Sequence, residues 1–265
     1  MTKGTALITG ASSGIGAVYA ERLAQRGFDL VVVARDIDRL NALSRRLSND
    51  NGIAITPISA DLANTADLGR VLAKVENEES LTLLVNCAGV GPKGPLLGSG
   101  TESLDQMVQL NVEVLHSLTV TAAKTFAARG RGAIINIASV VALMPERFNP
   151  SYVASKAFVL AMTQALSAEL EPHGVQIQAV LPGFTRTELF DRAGIDINVI
   201  PPEMIMEAAD MVDAALAGFD RREVITIPSL EDVRLWDEME RARTSLAPYL
   251  SLRHAAARYA DGRSA

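Results

Sequence analysis

The chain has 265 residues, 48% of them hydrophobic and 21% charged, with a net charge of −6. That length suits a single α/β domain able to bury its apolar surface without staples, and the lone Cys87 excludes an intramolecular disulfide. No basic run exceeds two residues, so the electrostatic footprint of a nucleic-acid binder is missing, and no stretch approaches the ~20 apolar residues of a membrane span.

Met1-Thr2-Lys3-Gly4 leads straight into an apolar run rather than a secretory leader, and a cytoplasmic location is expected. Short β-rich runs then alternate with longer helical patterns. Strands are expected at Thr5–Thr9, Leu30–Ala34, Ile53–Ile58, Leu81–Asn86, Ala133–Ala138 and Val175–Leu181. They are nearly continuous in apolar residues, as parallel strands covered on both faces are. Helices are expected at Ile15–Arg26, Ile37–Leu47, Ala66–Asn77, Thr101–Arg129 and Ser151–Pro172. The last two carry apolar residues at i, i+3 and i+4. Gly27, Gly52, Gly130 and Gly174 fall at helix ends. This alternation predicts an α/β fold with a doubly wound parallel sheet in three layers, a Rossmann fold. After Leu181 the pattern weakens. Phe184–Gly194 reads as a loop, Pro201–Phe219 as a helix, Glu223–Pro228 as a last strand, and Asp232–Leu246 as a charged helix with Trp236 on its apolar side. The whole chain reads as one dinucleotide-binding and catalytic domain, with a core over 1–187, a substrate lid over 188–222 and a C-terminal helical tail over 230–265.

Strand one runs into Thr9-Gly10-Ala11-Ser12-Ser13-Gly14-Ile15-Gly16. Glycines let a backbone approach a pyrophosphate closely, and a helix N-terminus offers free N–H groups. The spacing is longer than G-x-G-x-x-G, and a plain strand-to-helix turn is the competing reading. Tyr152 and Lys156 stand four residues apart, which places them on one face of a helix. A phenol with a pKa near ~10 is a poor base at neutral pH, and a nearby cation favours its ionised form. Ser139 ends strand five, at the sheet edge where such folds bind ligands. Its plainer role is to cap the following turn. Asn111 interrupts a long helical pattern, where asparagine competes for backbone hydrogen bonds, so a local kink is expected.

In order, spacing and strand-end position these motifs resemble the short-chain dehydrogenase/reductase family, in its classical subtype, whose loop reads Thr-Gly-x-x-x-Gly-x-Gly. Asn86-Cys87-Ala88-Gly89 is similar to the family's Asn-Ala-Gly segment. Pro182-Gly183-Phe184-Thr185-Arg186-Thr187 is similar to its nicotinamide-facing turn, and Asp61-Leu62 to the pair beside its adenine. The resemblance covers residues 5–187. It implies an oxidoreductase that reduces a carbonyl compound to an alcohol, or the reverse. It implies catalytic roles for Asn111, Ser139, Tyr152 and Lys156. Ser139 and Tyr152 would hold the substrate oxygen, and Tyr152 would donate the proton. Lys156 would lower the phenol pKa and bind the nicotinamide ribose, and Asn111 would support a proton relay. It implies cofactor contacts at Gly10, Ser12, Ser13, Gly14, Ile15, Gly16, Arg35, Asp61, Leu62, Asn86, Ala88, Gly89, Tyr152, Lys156, Pro182, Gly183, Thr185 and Thr187, and no metal.

Strand two ends Val31-Val32-Val33-Ala34-Arg35-Asp36, where an adenosine ribose lies in this fold. A carboxylate closing the strand would bind both ribose hydroxyls and repel a 2′-phosphate. Ala34 stands there instead, and Arg35 offers a planar fork of donors suited to phosphate. Asp36 suits the N-cap of the next helix, and Arg39 stands one turn on as a second cation. NADP(H) is therefore expected over NAD(H). Ser13 occupies the place where some NADP-preferring relatives carry a basic residue, so recognition rests mainly on Arg35. Val141, Leu143, Met144 and Phe148 favour an apolar carbonyl substrate, with specificity set by Val90–Leu97, Val140–Pro150 and Phe184–Phe219. The resemblance also suggests a homodimer or homotetramer. A 3-ketoacyl carrier-protein reductase is one alternative, disfavoured because Ile227-Pro228-Ser229-Leu230 and a charged tail replace the usual glycine-rich last strand. A catalytically silent NADP(H) sensor or scaffold is the alternative from another class.

Overall fold

The computed structural model describes residues 3–194 and 196–259; position 195 of the expected lid and positions 260–265 of the expected tail lie outside it. The chain divides into two compact units, Met1–Pro228 and Ser229–Ala265. In the first, β1 (Thr5–Thr9), α1 (Gly14–Gln25), β2 (Asp29–Ala34), α2 (Ile37–Asn51), β3 (Ile55–Ser59), α3 (Thr65–Asn77) and β4 (Leu81–Asn86) alternate strictly. Then follow α4 (Thr101–Val108), a wide π turn over Gln109–Val114, α5 (Leu115–Arg129), β5 (Gly132–Ile137), α6 (Pro150–Leu170) and β6 (Val175–Val180). The unit closes with β7 (Phe184–Arg186), α7 (Glu188–Ala193), β8 (Ile205–Glu207), α8 (Ala208–Asp220) and β9 (Ile225–Thr226).

Seven strands form one parallel sheet in the order β3-β2-β1-β4-β5-β6-β9. The strand order reverses between β1 and β4, which opens a crevice beyond their C-terminal ends. Successive side chains of a strand point to opposite faces. Ala6, Ile8, Leu30 and Val32 thus pack with Tyr19 and Leu23 of α1, Leu40 of α2 and Met211 of α8. Leu7, Val31, Val33 and Leu84 pack on the other face with Val71 of α3 and with Leu118 and Phe126 of α5. The expected three-layer Rossmann fold is the observed one. No helix among the described residues is long and apolar enough to cross a membrane.

Five expectations are corrected. The Thr101–Arg129 helix is interrupted by the π turn that holds Asn111. Phe184–Gly194 is not a plain loop: β7 pairs in parallel with β8, and α7 follows, capped by Thr187. The Pro201–Phe219 helix begins only at Ala208. Pro201 precedes a second proline, which drives it to an extended conformation (φ −51°, ψ 128°) and keeps it out of a helix. The last strand shrinks to Ile225–Thr226. The second unit holds α9 (Arg234–Thr244), shorter than expected, with Trp236 partly buried.

Candidate active site

The crevice beyond β1 and β4 is lined first by backbone. Gly10 turns with φ +68°, and a Cβ there would lie 3.0 Å from the backbone N and Cα of Ala88. Gly16 sits so close that a Cβ would run into the Gly10 carbonyl. The loop is therefore closed tightly on β4 and on its own helix, in a form that admits only hydrogen at these two places. Ser13, the N-cap of α1, has extended backbone and makes no side-chain cap. The first-turn N–H groups of a twelve-residue helix are thus left facing outward, where an anionic phosphate is favoured. Thr9 fixes this joint: its Oγ1 accepts from Cys87 N (3.0 Å) and Ala88 N (3.1 Å). Thr9 belongs to the loop motif yet was absent from the expected contacts. Its signal is its position, a hydroxyl at the last residue of a buried strand, where the next strand's turn needs an acceptor.

Arg35 follows directly on β2 and is exposed. Among the described residues its guanidinium has no hydrogen-bond or ion-pair partner. Asp36 caps α2 by accepting from Arg39 N (3.0 Å), as expected. Arg39 is not a free second cation: its Nη1 reaches both oxygens of Glu188. Leu62 is buried, and Asp61 accepts from Ala63 N at 3.1 Å while staying exposed at the mouth of β3. Asn86 turns its side chain into the sheet, where its Nδ2 donates to Thr119 Oγ1 (3.0 Å) and Asn136 Oδ1 (2.9 Å), and this leaves only its backbone at the crevice. The buried chain continues from Asn136 to Thr163 (3.1 Å) and cross-links β4, β5 and α6.

The catalytic candidates converge at the ends of β4 and β5. α6 starts at the Asn-Pro pair 149–150, an N-cap followed by proline at the first helical position. Asn149 accepts from Ser151 N and Tyr152 N and donates to Gly94 O at 2.9 Å. This anchors the first turn that carries Tyr152, and it too was missed among the expected residues. Tyr152 lies near enough to Ser139 for the serine hydroxyl to favour the ionised phenol. Ser139 also does what its plainer reading predicts, accepting from Val141 N at 3.3 Å. One turn along α6, Lys156 is buried, with Nζ 5.8 Å from the Tyr152 ring centre and 3.0 Å from Ile137 O. Gly89 lies between the groups: a Cβ there would meet Asn111 Oδ1 at 3.1 Å and Lys156 Nζ at 3.8 Å. The side chain of Asn111 is spent on structure. It accepts from Val90 N and donates to Val90 O, both at 2.9 Å, and so fixes the loop after β4.

Burial pushes the Tyr152 phenol up to about 12, with the Ser139 hydrogen bond working against it. The Lys156 ammonium donates to Ile137 O at 3.0 Å while lying 5.8 Å from the centre of the phenol ring. Burial pulls Lys156 down to about 8, and Cys87 partly offsets this. Cys87 itself is pushed up to about 12 by burial and stays a thiol. The lowered lysine has a consequence for stability. Between about pH 8 and the ordinary value of 10.5 the folded chain holds fewer protons than the unfolded one, so this group's destabilising effect is full below pH 8 and fades as pH rises through that window. Lys156→Met is expected to raise the melting temperature by a few degrees at pH 7 and to lose that gain above pH ~10.5. Thermal melts across this pH range test it; an equal gain at every pH would refute the charge argument.

Pro182 O accepts from Val140 N (3.0 Å) and Ser139 Oγ (3.3 Å), which joins the turn after β6 to the site. Thr185 is buried, with Oγ1 on Gly183 O. Thr187 lies against the phosphate loop, 3.2 Å from where a Gly14 Cβ would stand. Phe148, Phe184 and Phe190 meet in sequence in edge-on and tilted contacts, with ring centres 6.4 and 6.2 Å apart. Beside them a cavity of about 440 Å³ is lined by Pro92, Leu96, Glu146, Phe148, Asn149 and neighbouring residues. No cluster of metal-ligating residues occurs among the described residues.

The model of the family described as short chain dehydrogenase matches residues 4–198. A short-chain dehydrogenase from Sphingobium yanoikuyae, solved in complex with NADPH, is 46% identical, with 97% of this chain and 100% of that one covered and a TM-score of 0.93. A bulky-bulky ketone specific alcohol dehydrogenase from Comamonas testosteroni is 43% identical, with 98% and 99% covered and a TM-score of 0.90. A 3-oxoacyl-[acyl-carrier-protein] reductase of Rickettsia bellii is 31% identical over 188 residues, 71% of this chain and 75% of its own length. The match runs from the first strand through the crevice residues into α7, and with it the chain belongs to the short-chain dehydrogenase family and is an oxidoreductase of that kind.

Proposed function

We propose that the chain is an NADP(H)-dependent reductase of bulky apolar ketones, able to run in reverse on the corresponding alcohols. One observation carries the reading: Ser139 and Tyr152 meet beyond the ends of β4 and β5, with the Lys156 ammonium 5.8 Å from the centre of the phenol ring. The bound nicotinamide would supply or accept a hydride at the substrate carbon. Ser139 and Tyr152 hold the carbonyl oxygen, and Tyr152 gives it the proton. A phenol pushed up by burial stays protonated through neutral pH, as a proton donor must. Lys156 would bind the nicotinamide ribose, and Asn111 holds the Val90 loop as the crevice wall.

The chain's own residues fit a dinucleotide phosphate. The Gly10–Gly16 cradle leaves backbone approach open, and the unpartnered Arg35 offers a fork of donors where a 2′-phosphate would lie. The Sphingobium relative holds NADPH. The substrate class is supported by the Phe148–Phe184–Phe190 aromatic cluster and by the exposed Met144, Val199 and Met204 in the loops beyond it. The Comamonas relative is specific for bulky-bulky ketones.

The test is NADPH consumption with a panel of ketones graded in the size of both arms, together with a 3-ketoacyl thioester. Ketones with two bulky apolar arms are expected to turn over fastest. A preference for the thioester would transfer the reading to carrier-protein reduction. No turnover of any compound despite tight NADPH binding would make the chain a silent sensor.

A further inference from the structure

One cluster of charge spans the crevice and has no part in the roles above. The start of α7 lies against the phosphate loop, through Thr187 and Gly14. The next residue, Glu188, accepts from Arg39 Nη1 on both oxygens (2.8 and 2.9 Å), and its Oε2 accepts from Arg192 Nη2 at 2.7 Å. The same Arg192 nitrogen donates to Ser13 Oγ at 3.2 Å. Arg39 Nε also lies 3.4 Å from Asp36 Oδ2. A continuous path, Ser13–Arg192–Glu188–Arg39–Asp36, therefore ties the phosphate loop, the lid helix and the first turn of α2. Burial works to raise the Glu188 carboxyl, but the two guanidiniums outweigh it and hold the group below the usual carboxylate range.

Two features make this more than a surface ion pair. One carboxylate is shared by two arginines from different elements. The cluster also lies between the two places where the fold presents a dinucleotide's phosphates, the start of α1 and the end of β2. A phosphate monoester carries close to two negative charges and matches guanidinium forks better than a carboxylate does.

We propose that Glu188 stands in for the 2′-phosphate of NADP(H): the phosphate displaces it from Arg39 and Arg192, and both arginines then join Arg35 in reading that phosphate. This rests on the NADP(H) reading and deepens it, since Arg192 becomes a specificity-determining residue on the lid and Glu188 a competitor for the cofactor's distinguishing group. The pyrophosphate, common to NAD and NADP, does not enter the competition.

Titration calorimetry of the full chain with NADP⁺ and with NAD⁺ tests this in wild type, Glu188→Gln and Arg192→Gln. Glu188→Gln is expected to tighten NADP⁺ about three- to fivefold, the scale of one exposed ion pair, and to leave NAD⁺ unchanged. Arg192→Gln is expected to weaken NADP⁺ by a factor of about three to ten without a matching loss for NAD⁺. If Glu188→Gln leaves NADP⁺ binding unaltered, or shifts both nucleotides alike, the cluster only fastens the lid and the proposal is overturned. Wild type binding NAD⁺ as tightly as NADP⁺ would instead remove the NADP(H) reading itself, and the competition with it.

Discussion

Replacing Tyr152 by Phe is expected to lower kcat for ketone reduction by about 10²- to 10⁴-fold, the range one positioned proton donor supplies, with NADPH affinity nearly unchanged. The substitution removes one oxygen and keeps the ring that packs beside Lys156. Asn149 still caps the helix start through backbone donors, so the turn carrying residue 152 stays in place. Lys156 keeps its hydrogen bond to Ile137 O. Steady-state turnover measured alongside NADPH fluorescence separates loss of chemistry from loss of binding. A variant with near-normal turnover would remove Tyr152 from the mechanism.

Arg35→Ala is expected to raise KM for NADPH about 10- to 100-fold, the scale of a lost hydrogen bond to a charged group, while KM for NADH stays close to wild type. The reasoning is local. Arg35 is exposed and has no hydrogen-bond or ion-pair partner among the described residues, so its truncation leaves no buried group orphaned and should leave the fold intact. Arg39, by contrast, is engaged by Glu188 and Asp36 before any ligand arrives. Steady-state kinetics with both nucleotides decides it. Equal effects on both would mean that the guanidinium does not read the 2′-phosphate.

The legibility of this fold in its sequence follows from burial. Val31, Val32 and Val33 are all buried because β2 is covered on both faces, and such a strand reads as an apolar run without any knowledge of its neighbours. The phosphate loop was legible for a related reason, since Gly10 and Gly16 encode backbone geometry locally, whereas the Asn149–Pro150 start of α6 went unread. The lid was not. β7 and β8 are three residues each and owe their extended form to each other, across a separation no local pattern spans. Asn111 signalled a disturbance in its helix, but not that the disturbance is a six-residue π turn, from which Asn111 makes a pair of hydrogen bonds to Val90 on another segment. Glu188, Arg192 and the inward turn of Asn86 were illegible because ion pairs and buried amide networks depend on which helices the finished sheet brings together.

The pairing of β7 with β8 has a consequence for how the enzyme's substrate range can change. Phe184–Arg186 and Ile205–Glu207 lie side by side, and the Arg186–Glu207 ion pair (2.7 Å) fastens their far ends. Because the strands run parallel, the chain between them leaves beside Glu207 and returns beside Phe184, so both ends of the excursion are held within the length of three paired residues. Lengthening such an excursion adds little closure entropy, about 0.6 kcal/mol for each doubling. The excursion beyond Arg192 can therefore take new lengths and shapes, while Glu188 and Arg192 keep their ion pairs and the register of α8 and the position of Tyr152 stay as they are.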